Sequence, residues 1–416
     1  MAEAGILFPK DAGGKRSTMA FNSAAFSASF ASADPEAAIA CAGETKWRRR
    51  YARHVVANVA VSARGPESAL QVAQDGLAHL HASMRFARDG EELSLAEAME
   101  TPTGSPTLST VQIQGSASKA TGPLSVPYKG QTLQGDALRA QIERWVKGGQ
   151  IELDTGAALI AAVDNPAWSG SAISETTFVM LGASSAMGPL PLLLALGAHV
   201  IAVDINRPAV WEKIIGLAEE SPGSLTFPVR GDVAPSELLA AGGDPLFAAA
   251  GCDLLTETPE IGAWLLEVCQ PEPQLVVGCY AYLDGEAFVR ISLAMDALVA
   301  SLAAKLPNTL ERPNRLTLAY LCTPTDAHLV PAAARAAAAR NRRAMPWWAG
   351  LFSLWPGLPS NARRPLQDCG SEDSKRYIVD AIVPQQGPNY ILAKRLQHWR
   401  VIVSRTIIAG NLGRVF

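Results

Sequence analysis

Three absences narrow the kinds of protein that this 416-residue chain can be. No run of about 18 or more uncharged apolar residues occurs, which predicts no transmembrane segment, and the N-terminus lacks the continuous apolar core of a secretory signal. The formal net charge is only −3, so no global basic field attracts nucleic acid. The six cysteines are scattered without metal-ligand spacing, which predicts no metal site and favours a reducing compartment. We therefore expect an intracellular, soluble protein, cytoplasmic by default, with an organelle as the alternative.

What is present is enough apolar material for a large core, since 48% of the residues are hydrophobic. The length exceeds one average domain, and the composition changes along the chain. Residues 1–33 are Ser- and Ala-rich and are interpreted as a flexible tail. Residues 34–170 are predicted to be mainly helical, with a Thr/Ser/Gly/Pro-rich linker at 100–123. Residues 171–330 alternate strands and helices, and 331–416 are expected to add a helical insertion and a closing strand and helix.

Short apolar runs separated by helical stretches dominate the centre of the chain. Nearly continuous apolar strands of this kind are typical of a parallel sheet covered by helices on both faces. The pattern therefore predicts an α/β domain with a doubly wound parallel sheet. A long helix is predicted at Ala287–Leu306. The predicted strands are Phe178–Leu181, His199–Val203, Leu225–Val229, Asp253–Leu255, Leu275–Val277 and Leu316–Tyr320.

The turn after the first predicted strand reads Leu181-Gly-Ala-Ser-Ser-Ala-Met-Gly188. A glycine permits a tight turn there, and the following helix offers free N–H groups to a pyrophosphate. This turn resembles the T-G-A-S-S-G-I-G loop of the short-chain dehydrogenase/reductase family, with Leu181 in place of the threonine and Ala186 in place of the middle glycine. The resemblance implies a Rossmann-type nucleotide-binding domain over Thr176–Asp326. A methyltransferase would need a more open Gly-x-Gly-x-Gly loop, which Ser184 and its neighbours fit poorly.

An acidic residue, Asp204, ends the second strand, where a carboxylate can bind both hydroxyls of an adenosine ribose. This position favours NAD over NADP, although Arg207 weakens that preference; the alternative interpretation of Asp204 is an ordinary turn residue. Asp232-Val233 after the third strand resembles the Asp-Val that contacts adenine in the family. The predicted cofactor-binding residues are Gly182, Ser184, Ser185, Met187, Gly188, Asp204, Asp232 and Val233.

The catalytic residues of the family have no clear counterpart on the helix where we expect them. The family uses a Tyr as proton donor with a Lys four residues later, so that both share one helix face, and a Ser that steadies the substrate oxygen. Aligned on Asp296-Ala-Leu298, the predicted helix has Phe288 at the Tyr position and Ser292 at the Lys position. The family's Asn-Asn-Ala-Gly after the fourth strand is replaced by Thr256-Glu-Thr-Pro259.

Three other tyrosines are candidate proton donors. Tyr280 or Tyr282, at the end of the fifth predicted strand, faces the cleft by the general rule for open sheets. Tyr390-Ile-Leu-Ala-Lys394 is a Y-x-x-x-K that follows a predicted strand and turn, but it lies about a hundred residues later than the family pattern requires. We interpret this second match as a coincidence, with 394–405 as a basic helix face that is solvated or binds a partner protein. Tyr280, Tyr390 and Lys394 are the candidate catalytic residues.

A Trp-rich segment at 346–356 is expected to line a lipophilic pocket, contact a membrane interface or a protein, or pack on its own domain. The sequence as a whole leaves two functions open. The first is an NAD-linked oxidoreductase, with NADP as the alternative cofactor, acting on a hydrophobic carbonyl or alcohol. The second is a catalytically degenerate domain that serves as a structural or interaction subunit of an assembly.

Overall fold

The structure is a computed structural model that describes residues 3–100, 108–118, 124–165, 173, 175–231, 233–306, 315–344, 346, 348 and 377–411. The chain divides into two compact units. Unit 1 comprises Met1–Lys119, Ser174–Asp326 and Ile382–Phe416, and unit 2 comprises Ala120–Ile173 and Ala327–Ala381.

Along the described residues, strands and helices follow one another, beginning with a strand. In chain order, the strands are β1 (Gly5–Leu7), β2 (Arg85–Arg88), β3 (Glu91–Ser94), β4 (Ser109–Gln114), β5 (Ser125–Tyr128), β6 (Gln131–Gln134), β7 (Thr177–Leu181), β8 (His199–Val203), β9 (Ser224–Val229), β10 (Leu275–Cys279), β11 (Leu316–Tyr320), β12 (Ala327–Leu329) and β13 (Ile378–Asp380). The helices are α1 (Thr18–Phe30), α2 (Pro35–Ala42), α3 (Trp47–Ser62), α4 (Pro66–Ser83), α5 (Leu95–Glu100), α6 (Gly135–Lys147), α7 (Leu153–Val163), α8 (Leu190–Ala195), α9 (Pro208–Glu219), α10 (Pro235–Ala241), α11 (Gly243–Ala249), α12 (Thr258–Cys269), α13 (Glu286–Lys305), α14 (Ala332–Arg343) and α15 (Gly387–Asn411).

A six-stranded sheet forms the centre of unit 1, in the order β11-β10-β7-β8-β9-β4. The five strands from β11 to β9 are parallel to their neighbours, and only β4 is antiparallel. The middle strands are apolar and fully buried, with Val179, Ile201 and Val277 at 0% exposure, as a sheet covered on both faces requires. The prediction of an α/β protein with a mainly parallel sheet is confirmed.

One predicted strand is wrong. Asp253–Leu255 forms a turn rather than the fourth strand, because the Asp253 carboxylate accepts hydrogen bonds from the backbone N–H groups of Leu255 (2.7 Å) and Thr256 (3.3 Å). A side chain that bonds its own backbone in this way competes with strand pairing. The chain therefore passes directly from the third parallel strand, β9, to β10 as the fourth and β11 as the fifth.

The interpretation of residues 100–123 as a linker is also wrong in part. Ser109–Gln114 forms β4, which pairs with β9 at the sheet edge. Val111 and Ile113 are buried while the residues between them are exposed, the period-two pattern of a strand with one covered face. Thr110, Gln112 and Gln114 lie on the other, exposed face.

Residues 1–33 are not a flexible tail where the structure describes them. Strand β1 pairs with β2, and α1 buries Phe21, Phe26 and Phe30 at 5% exposure or less. Helix α1 packs against α4, which in turn packs against α15. The Asn22 side chain of α1 also donates to Asn389 Oδ1 at the start of α15 (2.7 Å). The small Ser and Ala residues that suggested disorder permit close approach between these helices.

Helices α13 and α15 pack side by side and are joined by a buried ion pair. The Arg400 guanidinium of α15 donates twice to Asp296 of α13, at 2.7 Å each, and His81 of α4 contacts the same carboxylate at 2.7 Å. Among the described helices, α13 alone has the length and hydropathy of a membrane span. Since 67% of that window is buried inside the chain, α13 has the burial expected of a core helix.

The prediction of a basic surface over 394–405 is wrong for its first residues, which are buried. Lys394 and Arg395 are only 8% and 7% exposed. Arg395 pairs with Asp326, which is completely buried, and Arg400 pairs with Asp296. The two arginines pair with acids from the rest of unit 1, and Lys394 donates to the Leu321 carbonyl and to Gln397. These three cations therefore hold α15 in place and are not available as a basic docking face.

Unit 2 has a small core of its own. The hairpin β5-β6 and helices α6 and α7 bury Leu133, Leu138, Ile142 and Val163 together. A second pair of strands, β12 and β13, is antiparallel. In the chain, the second segment of unit 2 is inserted between β11 and α15.

Candidate functional site

The strand order reverses at β7, because the chain runs outward through β8 and β9 and then returns to place β10 on the other side of β7. Ligands of open α/β sheets bind outside the carboxyl ends of the strands at such a switch point. A cleft of about 690 Å³ lies there, within the range of roughly 300–1,000 Å³ that ligand sites occupy. It is lined by residues from several parts of unit 1: Gly182 and Ser184–Met187; Asp204, Ile205 and Arg207; Asp253–Leu255; Cys279–Leu283 with Phe288 and Ile291; and Leu321–Cys322 with Gln386, Tyr390, Lys394 and Gln397.

Gly182 lets the loop after β7 turn beneath β10. Its φ is +91°, in the left-handed region, and an added Cβ would lie 2.4 Å from the backbone nitrogen of Ala281. The N–H groups of Gly182 and Ala183 donate back to Val203 at the end of β8 (2.9 and 3.2 Å). Only glycine satisfies both the φ angle and the close approach, so this residue fixes the floor of the cleft.

The rest of the loop leaves two backbone donors open. Gly188 N–H closes a turn on Ser185 (2.8 Å), whereas the N–H groups of Ala186 and Met187 meet no acceptor among the described residues. Met187 is 76% exposed at the rim. Helix α8 begins only at Leu190 and is six residues long. The loop can therefore give an anionic oxygen two N–H groups from its own backbone.

Asp204 lies in the cleft as predicted, but its carboxylate is already engaged. One oxygen accepts the Ser184 N–H at 2.6 Å and the other accepts the Ile205 N–H at 2.8 Å. A carboxylate offers about four acceptor positions, so further bonds to ribose hydroxyls are compatible with this arrangement. The neighbouring Arg207 is exposed at the same rim. Asp204 thus holds the shape of the loop in addition to facing the cleft.

Tyr390 and Lys394 lie in this same cleft, about 200 residues along the chain from the loop. The Tyr390 hydroxyl donates to Thr323 Oγ1 at 3.0 Å. The Lys394 ammonium donates to the Leu321 carbonyl (2.8 Å) and to Gln397 (3.3 Å), and its burial lowers the pKa of the ammonium below that of an ordinary lysine. Leu321 and Thr323 directly follow β11, so the end of that strand positions both side chains.

Phe288 packs against Tyr390. The two ring centroids are 5.4 Å apart, and Tyr282 lies 4.7 Å from Phe288. The Lys394 ammonium stands 5.6 Å from the Phe288 ring centroid and 6.0 Å from that of Tyr390. Phe288, which the sequence alignment placed at the tyrosine position of α13, is therefore a direct neighbour of Tyr390 on α15.

Tyr280 is less suited to donate a proton. Its hydroxyl folds back along its own strand, since a Cβ at Gly278 would lie 2.6 Å from the Tyr280 oxygen. Burial raises the pKa of the Tyr280 phenol. The Tyr280 backbone N–H bonds to Leu181, so this residue lines the junction of β7 and β10.

Other predicted site residues fall elsewhere. Gly188 and Val233 are not among the residues that line the cleft, and Val233 is 48% exposed. Asp232 lies outside the described residues, as does the Trp-rich segment 346–356 apart from Pro346 and Trp348.

The sequence also shows Thr323-Pro-Thr-Asp326, which resembles the family's corner before a substrate-covering loop, but it predicts no contact of Thr323, Leu321 or Gln397 with the candidate dyad; the structure shows these contacts. A usable signal was the position of Thr323 at the end of β11, the strand that precedes the Tyr390 helix once the intervening segment of unit 2 is set aside. The described part of the chain contains no group of three or more His, Cys, Asp or Glu residues that could hold a metal ion.

Comparison of the chain with protein-family models, with curated proteins and with solved structures finds no match. The functional argument therefore rests on the geometry of the cleft.

Proposed function

We propose that this chain is an NAD(P)-dependent oxidoreductase of the short-chain dehydrogenase type, in which Tyr390 is the proton donor and Lys394 and Thr323 support it. The observation that carries the proposal is the meeting of Tyr390, Lys394 and the Gly182–Met187 loop in one cleft at the strand-order switch. An accidental Y-x-x-x-K would have no reason to lie there.

The position of α15 in the topology supports the same assignment. With Asp253–Leu255 excluded as a strand, β11 is the fifth parallel strand of a Rossmann-type order, and α15 is the next helix of unit 1 after it. The family resemblance places the Tyr/Lys helix after the fifth strand and its Ser at the end of that strand. In this chain those positions correspond to Tyr390, Lys394 and Thr323, separated by the inserted segment of unit 2.

The residues of the loop fit a pyrophosphate and a ribose. Ala186 and Met187 offer N–H groups, and Gly182 keeps a side chain out of the space beneath β10. Arg207 at the rim can pair with a 2′-phosphate, whereas Asp204 favours a free ribose diol, so both NAD and NADP are proposed as cofactors. A nicotinamide dinucleotide bound in its reduced form would supply the hydride for carbonyl reduction and would itself become oxidised.

In that reaction Tyr390 turns its O–H from Thr323 to the carbonyl oxygen of the substrate and gives up the proton as the carbonyl carbon is reduced. The positive charge of Lys394 stabilises the phenolate that remains, and the Thr323 hydroxyl can donate a hydrogen bond to the phenolate oxygen. Phe288 packs against Tyr390 and lies near the Lys394 ammonium, so it supplies apolar surface beside the candidate dyad. The lining of the cleft is mostly apolar and suits a hydrophobic carbonyl compound.

In the test, purified protein is titrated with NADH and with NADPH, and binding is measured by the change in fluorescence and by the shift in the thermal midpoint. We expect saturable binding of at least one, and reduction of members of a panel of lipophilic aldehydes and ketones. Tyr390→Phe should lower kcat by about 10²- to 10⁴-fold with cofactor binding unchanged, whereas Tyr280→Phe, the matched change in the same cleft, should leave kcat within about two-fold. No binding of either dinucleotide at millimolar concentration would refute the proposal.

A catalytically degenerate subunit is the second candidate, and one observation favours it. Both oxygens of the Asp204 carboxylate accept hydrogen bonds from the protein's own backbone, as expected for an acid with a purely structural role. Dinucleotide binding without turnover on any carbonyl of the panel would select this function over the first.

A further inference from the structure

A second chamber adjoins the cleft on the far side of its aromatic residues. It has a volume of about 430 Å³ and shares Tyr282, Phe288, Gln386 and Tyr390 with the cleft. A substrate whose carbonyl lies at Tyr390 can therefore extend its other end into this chamber. The mechanism proposed above gives the chamber no role.

The chamber is polar, in contrast to the cleft. Its walls include the side chains of Gln385, Gln386 and Asn389 and, from α3, the guanidinium of Arg48. Arg48 is exposed and has no hydrogen-bond or ion-pair partner among the described residues. Its Nη1 lies 3.5 Å from the position that a Cβ at Gly387 would take, so the cation reaches the first residue of α15.

Arg48 is the one cation among the residues that line the chamber. Neither α3 nor α15 has an acid in its first turn. The 25-residue helix α15 thus directs the positive end of its dipole to the chamber without compensation. The one acid in the wall, Asp284, accepts the Tyr282 hydroxyl at 2.9 Å.

We propose that this chamber is a substrate subsite for an anionic oxyacid group, a carboxylate or a phosphate, which pairs with Arg48 while the carbonyl of the same molecule lies at Tyr390. A guanidinium without a partner on a chamber wall suits this group, because Arg binds carboxylate and phosphate through paired N–H donors. The substrate class is then a carbonyl compound with an apolar middle and an acidic end. This inference rests on the proposed oxidoreductase function.

Binding without turnover tests the subsite directly. Terephthalate, phenyl phosphate and the neutral terephthalamide are titrated into the full-length protein by calorimetry, for wild type, Arg48→Ala, Arg48→Lys and the control Arg49→Ala. Arg49 is the neighbouring exposed cation, and it does not line the chamber. We expect wild type and Arg49→Ala to bind at least one anion about ten-fold more tightly than terephthalamide, and Arg48→Ala to lose this preference, with Arg48→Lys between them.

The two anions distinguish a carboxylate from a phosphate as the preferred group, and a preference for either that depends on Arg48 supports the subsite. Equal binding of the anions by wild type and Arg48→Ala would overturn it. Dinucleotide binding, measured separately on the same variants, should not change. If no dinucleotide binds but the Arg48-dependent preference is present, the oxidoreductase proposal fails and the anion subsite stands.

Discussion

At the scale of single residues, Gly182 and Asp204 fix the backbone conformation of the loop that lines the cleft. Gly182 combines a left-handed φ with close approach to Ala281, and Asp204 fastens the loop through Ser184. Neither residue has to contact a ligand to affect its binding affinity. The loop can present its N–H groups to a ligand only in one backbone conformation, and these two residues hold that conformation.

Gly182→Ala is expected to weaken dinucleotide binding on the order of 10-fold, or about 1.4 kcal/mol, and to lower the free energy of unfolding by at least about 1 kcal/mol. The added methyl would lie against Ala281 and strain the left-handed φ. Gly216→Ala is the control, because Gly216 lies in α9 with open space around it and alanine favours helix. Titration and urea unfolding measure both effects; a Gly182→Ala protein that binds normally would contradict this role for the loop.

Lys394 should impose an upper limit on the pH range of activity. Burial lowers the pKa of its ammonium, so the positive charge beside Tyr390 is present at low pH and is lost as pH rises through that depressed pKa. We expect kcat/KM for carbonyl reduction to fall at a pH below the roughly 10.4 of an ordinary lysine. Lys394→Met should lower kcat and abolish this inflection, whereas Lys394→Arg should move it upward; an unchanged profile in Lys394→Met would exclude the ammonium.

At the scale of elements, the pairing of α13 with α15 determines where the candidate dyad lies. One helix carries Phe288 and the other carries Tyr390, and the Asp296–Arg400 pair joins them. Burial by itself would raise the pKa of Asp296, but Arg400 and His81 outweigh it, and the pKa is lowered from 3.8 to about 2. Because of this contact, the stability of the helix pair depends on pH in the acid range.

The sign follows from linkage. Since the folded-state pKa of Asp296 lies below its unfolded value, the unfolded chain binds more protons between about pH 4 and pH 2. The free energy of unfolding therefore decreases as the pH is lowered through that window. The pair contributes about 2 kcal/mol at neutral pH on this basis. Asp296→Asn should cost about 3–5 kcal/mol, because it leaves Arg400 buried without its charge partner.

Urea unfolding at pH 7, 4 and 3 checks this prediction. Asp136→Asn, a change at an exposed acid of α6, provides the control and should leave the free energy of unfolding within about 0.5 kcal/mol. An Asp296→Asn protein with the same acid dependence as wild type would show that other carboxylates account for it.

At the scale of the whole molecule, the N-terminal segment belongs to unit 1 rather than preceding it. Deletion of residues 1–33 should lower Tm by more than about 10 °C or leave the protein insoluble, because it removes the buried rings of Phe21, Phe26 and Phe30. Phe26→Ala should cost about 3–5 kcal/mol, and Ile39→Ala, at a residue 73% exposed, should be neutral. A truncated protein with an unchanged Tm would restore the flexible-tail interpretation.

The sequence by itself determined the five parallel strands of the central sheet and the tight turn at Gly182. Five of its predicted strands and the helix α13 are found within a few residues of their predicted bounds, because strands buried on both faces must be apolar throughout and their periodicity is local information. Gly182 was predicted for its turn, and its φ of +91° agrees. The mistaken strand at Asp253–Leu255 shows the limit of that reasoning. The pattern of apolar residues does not reveal that the Asp253 carboxylate accepts hydrogen bonds from the neighbouring backbone.

Only the tertiary structure decided which tyrosine faces the loop. The Y-x-x-x-K of Tyr390 and Lys394 is separated from the Gly182 loop by about 200 residues and from β11 by an inserted segment, and spacing along the chain therefore argued against it. Burial and pairing of Lys394, Arg395 and Arg400 likewise depend on residues brought from elsewhere in unit 1. Periodicity records which face of an element is covered, but not which distant side chain covers it.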